Sequence, residues 1–190
     1  MFTLWEIIQI LITILAIGFI FAGYIKKPQT HNDYIENLLE GRKWKRFFNW
    51  GDIKFSTAVV APAIILHELG HKFVGIALGY ASHYEMWSTG LGIGVFLRLI
   101  GSRFLLFAPG YVVITGATKL DMALIAFAGP LVNIILFGLS WAMLESGKFR
   151  KHARFLWISK QVNMWLFIFN MLPIPPLDGS KVVAGLMAIL

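Results

Sequence analysis

The pentapeptide HELGH, residues 67–71, lies inside a long apolar part of the chain, and this setting constrains the fold more than any other feature. No charged residue occurs from Phe55 to Leu66, and none occurs from Phe73 to Ala81. A charged group at membrane depth costs about 2.5 to 3.5 kcal/mol on insertion scales unless another group compensates for it. The polar side chains of the pentapeptide therefore need a partner within the apolar region, and a bound cation is the simplest one.

The spacing within the pentapeptide predicts a metal site. His67 and His71 are four residues apart, so on an α-helix their imidazoles project from one face and can bind a single Zn²⁺. Glu68 lies beside them as a candidate general base. An alternative interpretation is a polar cluster that only forms hydrogen bonds between helices.

Composition indicates an integral membrane protein. The chain of 190 residues is 57% hydrophobic and 14% charged, whereas about a quarter of a soluble domain is charged. This length is enough for one compact bundle and leaves no room for an extramembrane domain of normal size. The net charge of +7 comes from basic residues between apolar segments, which favours contact with anionic lipid headgroups over nucleic acid. The absence of cysteine excludes disulfides, cysteine-ligated zinc and thiol catalysis.

The hydropathy pattern predicts an all-α polytopic membrane protein, a bundle of about four to five transmembrane helices. We divide it into an N-terminal anchor with a polar basic connector, residues 1–54, and a core, residues 55–190. Within the connector, Tyr34 to Trp50 is a candidate interfacial helix. The predicted spans are Leu4 to Tyr24, Phe55 to Tyr80, Met122 to Leu144 and Ala153 to Leu172.

A small membrane-associated β-hairpin or sheet region is expected after the HELGH helix. Glycines and two arginines interrupt the apolar stretch from Leu91 to Ile114, which indicates strands. Gly101-Ser102 fits the turn of a hairpin, and Ala108-Pro109-Gly110 is predicted to end its second strand. The alternative is one more transmembrane helix in this stretch.

A third zinc ligand is needed for a catalytic site, and Asp178 is the best candidate. It is the only acidic residue in the last 45 positions, and three prolines just before it break the helix. The alternative role for Asp178 is the N-cap of the following helix. That helix is expected to be still running at Leu190. Twelve residues after Asp178 are too few to cross a bilayer, so the helix is expected to stop within the membrane or to continue in a longer chain.

Taken together, the motifs resemble those of the site-2 protease family of intramembrane zinc metalloproteases. They are HELGH, AGPLVN at residues 128–133, NMLPIPPLDG at residues 170–179 and, more weakly, APGYV at residues 108–112. The resemblance implies that His67, His71 and Asp178 bind Zn²⁺ and that Glu68 is the catalytic base. It also implies that Asn170 and Asn133 line the active site and help to position the scissile peptide. The other histidines, His31, His83 and His152, have no partner at ligand spacing and are expected at the membrane interface.

The resemblance implies hydrolysis of peptide bonds within or near the transmembrane segments of membrane proteins. It describes a minimal core without a PDZ or CBS domain, a multi-pass protein of the cell membrane whose partners are transmembrane substrates and lipids. A catalytically silent scaffold, or a metal or ion carrier that uses the same buried residues, is the alternative function.

The orientation in the membrane stays open at the level of sequence. With the strand region not spanning, the segments Lys26 to Lys54 and Ser146 to Arg154 share one side and hold eleven Lys or Arg residues, which the positive-inside rule places in the cytoplasm. The family resemblance implies the reverse orientation.

Overall fold

The structure, a computed structural model, describes residues 2–28, 48–102 and 109–189, and most of the expected interfacial helix lies outside these residues. Within them the chain forms six α-helices and a sheet of two strands, with a 3₁₀ turn, Arg150–His152, before the fifth helix. The elements in chain order are α1 Leu4–Phe21, α2 Trp50–Ala77, β1 Ser82–Met86, α3 Ser88–Leu99, β2 Gly110–Ile114, α4 Lys119–Glu145, α5 Ala153–Asn170 and α6 Asp178–Leu186.

Side-chain caps define where the three longest apolar helices begin. Thr3 and Glu6 form a reciprocal capping box at the start of α1. The Asn49 side chain accepts hydrogen bonds from the first backbone N–H groups of α2, and the Thr118 hydroxyl accepts one from the first turn of α4. These caps satisfy donors that have no partner inside the helix, so each helix has a defined starting point.

Three helices of the described chain, α1, α2 and α4, are long and apolar enough to span a membrane. The expectation of four to five spans is therefore not confirmed. A helix does form where the fourth span was expected, but α5 is not among the candidate spans, and its sequence contains Arg154, Lys160 and Gln161. Helix α3 has 12 residues and a length of about 18 Å, which is too short to cross.

The sheet consists of β1 and β2 in antiparallel register, with Tyr84 opposite Val112 and Met86 opposite Gly110. A small sheet after the HELGH helix is thus confirmed, and β2 lies at the end of the predicted stretch Leu91 to Ile114, but the predicted position of the first strand was wrong. The first strand precedes Leu91, the stretch from Ser88 to Leu99 is helical, and Gly101-Ser102 is not the turn of a two-residue hairpin. Residues 103–108, which make up most of the expected second strand, lie outside the described residues.

Helix α2 lies at the centre of the fold, packed against both α1 and α4. On the α1 side, Ile17 packs with Val59, Val60 and Ile64 in a buried apolar cluster. On the α4 side the helices approach closely at Gly70, where a Cβ atom would stand 2.9 Å from the carbonyl oxygen of Ala128. The contact on this side brings the HELGH turn of α2 against the backbone of α4.

A buried polar stripe on α1 holds β1 in place. Glu6 accepts a hydrogen bond from the backbone N–H of Tyr84 at 2.7 Å, and Gln9 accepts one from the backbone N–H of Met86 at 2.6 Å. Glu6 also forms an ion pair with Lys72 of α2, and both side chains are buried. The outer edge of β1 is therefore covered by side-chain acceptors of α1.

The hydroxyl of Tyr84 extends this stripe. It lies 2.9 Å from the hydroxyl of Thr13 on α1, and both residues are buried. Burial raises the pKa of Tyr84 to about 12, so the phenol stays protonated at neutral pH. Helix α1 is thus joined to β1 by polar contacts as well as to α2 by apolar packing.

The ends of the later helices bear on two further predictions. Helix α6 ends at Leu186, so the prediction that it runs to Leu190 was wrong; residues 187–189 form a turn.

At the start of α5, the Arg154 guanidinium donates a hydrogen bond to the carbonyl oxygen of Lys26 at 3.0 Å. The two basic segments therefore meet at the same end of the bundle, as the hydropathy pattern predicts.

Candidate metal centre

Three predicted ligands, far apart in sequence, meet in the interior of the protein. The Nε2 atoms of His67 and His71 lie 3.1 Å apart, and each lies 3.2 Å from Oδ2 of Asp178. All three side chains are buried, each at most 7% exposed. They form the one cluster of potential metal ligands found within the described residues.

Hydrogen bonds on the far side of each imidazole decide which nitrogen faces the centre. Nδ1 of His71 lies 2.7 Å from the carbonyl oxygen of Ile125, which can only accept, so this nitrogen carries the proton. Nδ1 of His67 lies 2.6 Å from Oδ1 of Asn133. In the neutral rings both Nε2 atoms therefore present lone pairs toward the carboxylate.

This donor set fits zinc. Three lone-pair atoms at separations of 3.1 to 3.2 Å repel one another unless a proton or a metal cation lies between them. A tetrahedral Zn²⁺ with bonds of about 2.0 to 2.1 Å places its ligands about 3.3 to 3.4 Å apart, close to this triangle. Two imidazoles and one carboxylate leave a fourth position open, which is the arrangement of a catalytic zinc site.

A glycine of α4 makes room for the two histidines. A Cβ atom on Gly129 would stand 2.5 Å from Cε1 of His71 and 2.7 Å from Nε2 of His67. Real Cβ atoms essentially never come closer than 3.0 Å to such neighbours. The imidazoles therefore rest directly on the backbone of α4, and any side chain at position 129 would displace them.

Asp178 reaches the histidines from the first residue of α6. The N-cap of that helix is Leu177, and the Asp178 carboxylate makes no capping hydrogen bond, so the alternative N-cap role does not apply. The chain turns sharply between Leu172 and Asp178. As a result the backbone at Gly179 lies so close to Leu172 that a Cβ on Gly179 would stand 2.5 Å from the Leu172 carbonyl oxygen. Lys181 lies 3.5 Å from Oδ1 of Asp178, which leaves Oδ2 directed at the imidazoles.

The ligands open onto a cavity of about 1010 Å³. Glu68 lines this cavity together with His67 and Asp178. Glu68 does not belong to the ligand cluster, which leaves it available as a base beside the metal. Asn170 also lines the cavity, while its amide N–H₂ donates to the carbonyl oxygen of Leu166 at 3.0 Å.

Asn133 lies behind His67 and is not among the residues that line the cavity. Its side chain is fully buried and accepts from Nδ1 of His67, and its amide group donates to the carbonyl oxygen of Ala63 at 2.9 Å and to Oδ1 of Asn163 at 3.0 Å. The structure thus places this residue as an orienting partner of a metal ligand.

Comparison with known proteins identifies the family. The chain is 32% identical over 186 residues to "Putative zinc metalloprotease MJ0611" of Methanocaldococcus jannaschii, an alignment that covers 94% of this chain and 83% of that protein. The chain belongs to this zinc metalloprotease family. "Putative zinc metalloprotease YwhC" of Bacillus subtilis is 33% identical over 81 residues, which is 36% of each protein. No family model and no solved structure matches the chain.

Membership of this family and the geometry of the ligands agree on the metal. Zinc is the cofactor, and the cluster of His67, His71 and Asp178 is the group of described residues that can hold it. Of the other histidines, His83 and His152 are exposed and lie outside the cluster, and His31 lies outside the described residues.

The roles of several residues near the centre were not predicted from the sequence. Gly129 lies within a recognised motif, but its contact with both imidazoles depends on how α2 packs against α4. Asn163 is buried, and its hydrogen bond with Asn133 depends on how α4 packs against α5. The polar stripe of α1 carried a signal, because Glu6, Gln9 and Thr13 recur at helical spacing in an otherwise apolar segment.

Proposed function

We propose that this zinc metalloprotease is a site-2-type intramembrane protease, a multi-pass protein that hydrolyses peptide bonds within or near the transmembrane segments of its substrates. The observation that carries the proposal is the position of HELGH inside α2, a helix long and apolar enough to span a membrane. A zinc site on such a helix serves substrates that are themselves in the membrane.

The length of α2 refines the expected depth of the cleavage site. From the sequence, apolar flanks of twelve and nine residues predict a metal near the middle of the membrane. In the structure α2 ends at Ala77, only six residues beyond His71, which is about 9 Å along the helix axis. Cleavage is therefore proposed near the end of a substrate span, on the side of the membrane where Ala77 lies.

The chemistry assigned to the chain is general-base hydrolysis. Zinc bound at this centre supplies a Lewis acid that polarises a carbonyl group and makes water a better nucleophile near neutral pH. Glu68, on the wall of the cavity, takes a proton from the attacking water while the oxygen of that water bonds to the carbonyl carbon. When the C–N bond breaks, Glu68 returns that proton to the leaving amine, and the products are a carboxyl group and an amine.

The edge of β2 is suited to hold an extended substrate. All five residues of β2 line the cavity beside Glu68. Tyr84 and Met86 donate their backbone N–H groups to α1, so the paired residues Val112 and Gly110 direct their own backbone groups away from β1. An unwound segment can add to this edge as a third strand, which exposes its peptide bonds for attack.

The proposal is tested with reconstituted protein and a pair of transmembrane substrates that differ only by Gly-Pro or Leu-Leu near the expected cleavage site. We expect mass spectrometry to locate cuts inside the apolar segment, at higher rate in the Gly-Pro substrate, because helix breakers ease local unwinding. Cuts confined to soluble loops, or equal rates on both substrates, would contradict the intramembrane assignment.

Paired variants separate proteolysis from the alternative of a silent scaffold or ion carrier. Glu68→Gln should retain zinc and lose turnover. The matched control is Glu145→Gln, the same chemical change at an exposed position at the end of α4, which should cleave like the unaltered protein. Unchanged cleavage by Glu68→Gln would remove this residue from the mechanism, and zinc binding without cleavage of any substrate would favour the alternative.

A further inference from the structure

A row of buried amides connects a zinc ligand to α5. It begins at Nδ1 of His67, which lies 2.6 Å from Oδ1 of Asn133 on α4. The Asn133 amide donates to Oδ1 of Asn163 on α5 at 3.0 Å, and the Asn163 amide donates to the backbone carbonyl oxygen of Ser159 at 2.9 Å. Asn133 and Asn163 are 0% and 1% exposed, so water has almost no access to this row.

The direction of every hydrogen bond in this row is determined by two backbone carbonyl groups. The carbonyl of Ser159 only accepts, so Asn163 must turn its NH₂ group toward it and its oxygen toward Asn133. Asn133 must then present its NH₂ group to Asn163, and the carbonyl of Ala63 requires the same orientation. The remaining atom, Oδ1 of Asn133, accepts a hydrogen bond from Nδ1–H of His67.

We infer that Asn163 is a positioning residue for the zinc centre and that it acts through Asn133. With Nδ1 of His67 protonated, Nε2 is left with its lone pair facing His71 and Asp178. The two imidazoles are oriented by different means, since His71 is held directly by the carbonyl of Ile125. Residues that orient a metal-binding histidine typically contribute 10- to 100-fold to metal affinity. Loss of the Asn163 side chain removes the acceptor of the Asn133 amide in a buried place, where an unpaired donor is costly.

The inference is tested by the zinc dissociation constant of the full chain in detergent, measured by competition with a chelator. We expect Asn163→Ala to bind zinc about 10- to 100-fold more weakly than the unaltered chain. Ser140→Ala is the control, because the Ser140 hydroxyl donates to the hydroxyl of Ser159 at 3.2 Å and so touches the row only at its end away from His67. Its zinc affinity should equal that of the unaltered chain. An unchanged dissociation constant for Asn163→Ala would overturn the inference.

A double-mutant cycle separates positioning from general loss of packing. If Asn163 acts through Asn133, then adding Asn163→Ala to Asn133→Ala should cause little further loss of zinc affinity. If the two losses multiply, Asn163 acts by another route and the inference is wrong.

A measurement on the unaltered chain covers the case in which a variant fails to fold. In the zinc-loaded protein, ¹⁵N imidazole shifts report which nitrogen of His67 carries the proton. We expect the proton on Nδ1 and the metal on Nε2. Metal coordination through Nδ1 of His67 would overturn the inference without any substitution.

Discussion

The contact between α4 and the two zinc-binding histidines leads to a prediction that a single methyl group can test. Gly129→Ala adds one carbon atom, which the structure places 2.5 Å from Cε1 of His71 and 2.7 Å from Nε2 of His67. To restore separations of 3.0 to 3.4 Å, the His71 ring must withdraw by about 0.5 to 0.9 Å. Ligand distances at a zinc site vary by only about 0.2 Å, so this displacement breaks the geometry of the site.

The expected result is a loss of zinc affinity of at least about 100-fold, or about 2.8 kcal/mol. This is the upper end of the effect of losing one orienting partner, and here two ligands move together. The assay is competition with a chelator, combined with elemental analysis of the zinc bound per chain. The substitution does not weaken the helix itself, because alanine favours a helix over glycine by up to about 1 kcal/mol. Helix propensity therefore gives no reason for a lower free energy of unfolding in the metal-free protein.

Gly138→Ala is the control on the same helix. A Cβ atom at position 138 would have no neighbour within 4 Å, so this variant carries the same chemical change without the clash. We expect its zinc affinity to equal that of the unaltered chain. If Gly129→Ala binds zinc as tightly as Gly138→Ala, the histidines are not seated on the α4 backbone and the geometry of the centre is wrong.

Three further predictions follow from the buried charges. Asp178→Ala should reduce bound zinc well below one per chain, because two histidines alone form a weak site, and full zinc content with intact activity would exclude Asp178 as a ligand. Lys72→Met should lower the free energy of unfolding by about 3 to 5 kcal/mol, because it leaves the Glu6 carboxylate buried without its ion-pair partner. Adding Glu6→Gln to this variant should recover part of the loss. Equal stability of the unaltered chain, the single variant and the double variant would show that the ion pair is unimportant. Removal of zinc by a chelator should lower the free energy of unfolding of the unaltered chain. The expected difference is about 4.1 kcal/mol when the reference sample contains free zinc at a thousand times its dissociation constant. The same treatment should leave the free energy of unfolding of His67→Ala unchanged.

The sequence alone was sufficient to predict which three side chains meet at the candidate metal centre. HELGH places two histidines on one helical face, and the apolar flanks require a compensating charge. Asp178 was found because it is the only acidic residue in a long C-terminal stretch. These inferences depend on local spacing and on the cost of burying charge, and both can be read from the chain without knowledge of its fold.

The position of the sheet shows where local reasoning fails. Glycines from Gly90 to Gly101 suggested strands, yet Ser88–Leu99 is a helix, in which Gly90, Leu91 and Gly94 are buried. The true first strand has a period-two pattern, with Ser82 and Tyr84 buried and His83 and Glu85 exposed. Its outer edge is completed by acceptors of α1, about 77 residues away in sequence. Glycine content is a weak guide to secondary structure where packing between helices decides the conformation.

What the sequence determined is the chemistry: a zinc-binding histidine pair, a carboxylate ligand, a candidate base and apolar helices to bury them. What only the tertiary structure decided is how that chemistry is held in place. Gly129 contacts both imidazoles, two asparagines on different helices orient His67, and α2 ends at Ala77, six residues beyond His71. The contacts of Gly129 and of the two asparagines join residues 30 to 66 positions apart, and their strength depends on distances of a few tenths of an ångström. No local pattern encodes such distances, because they arise from the packing of whole helices against one another.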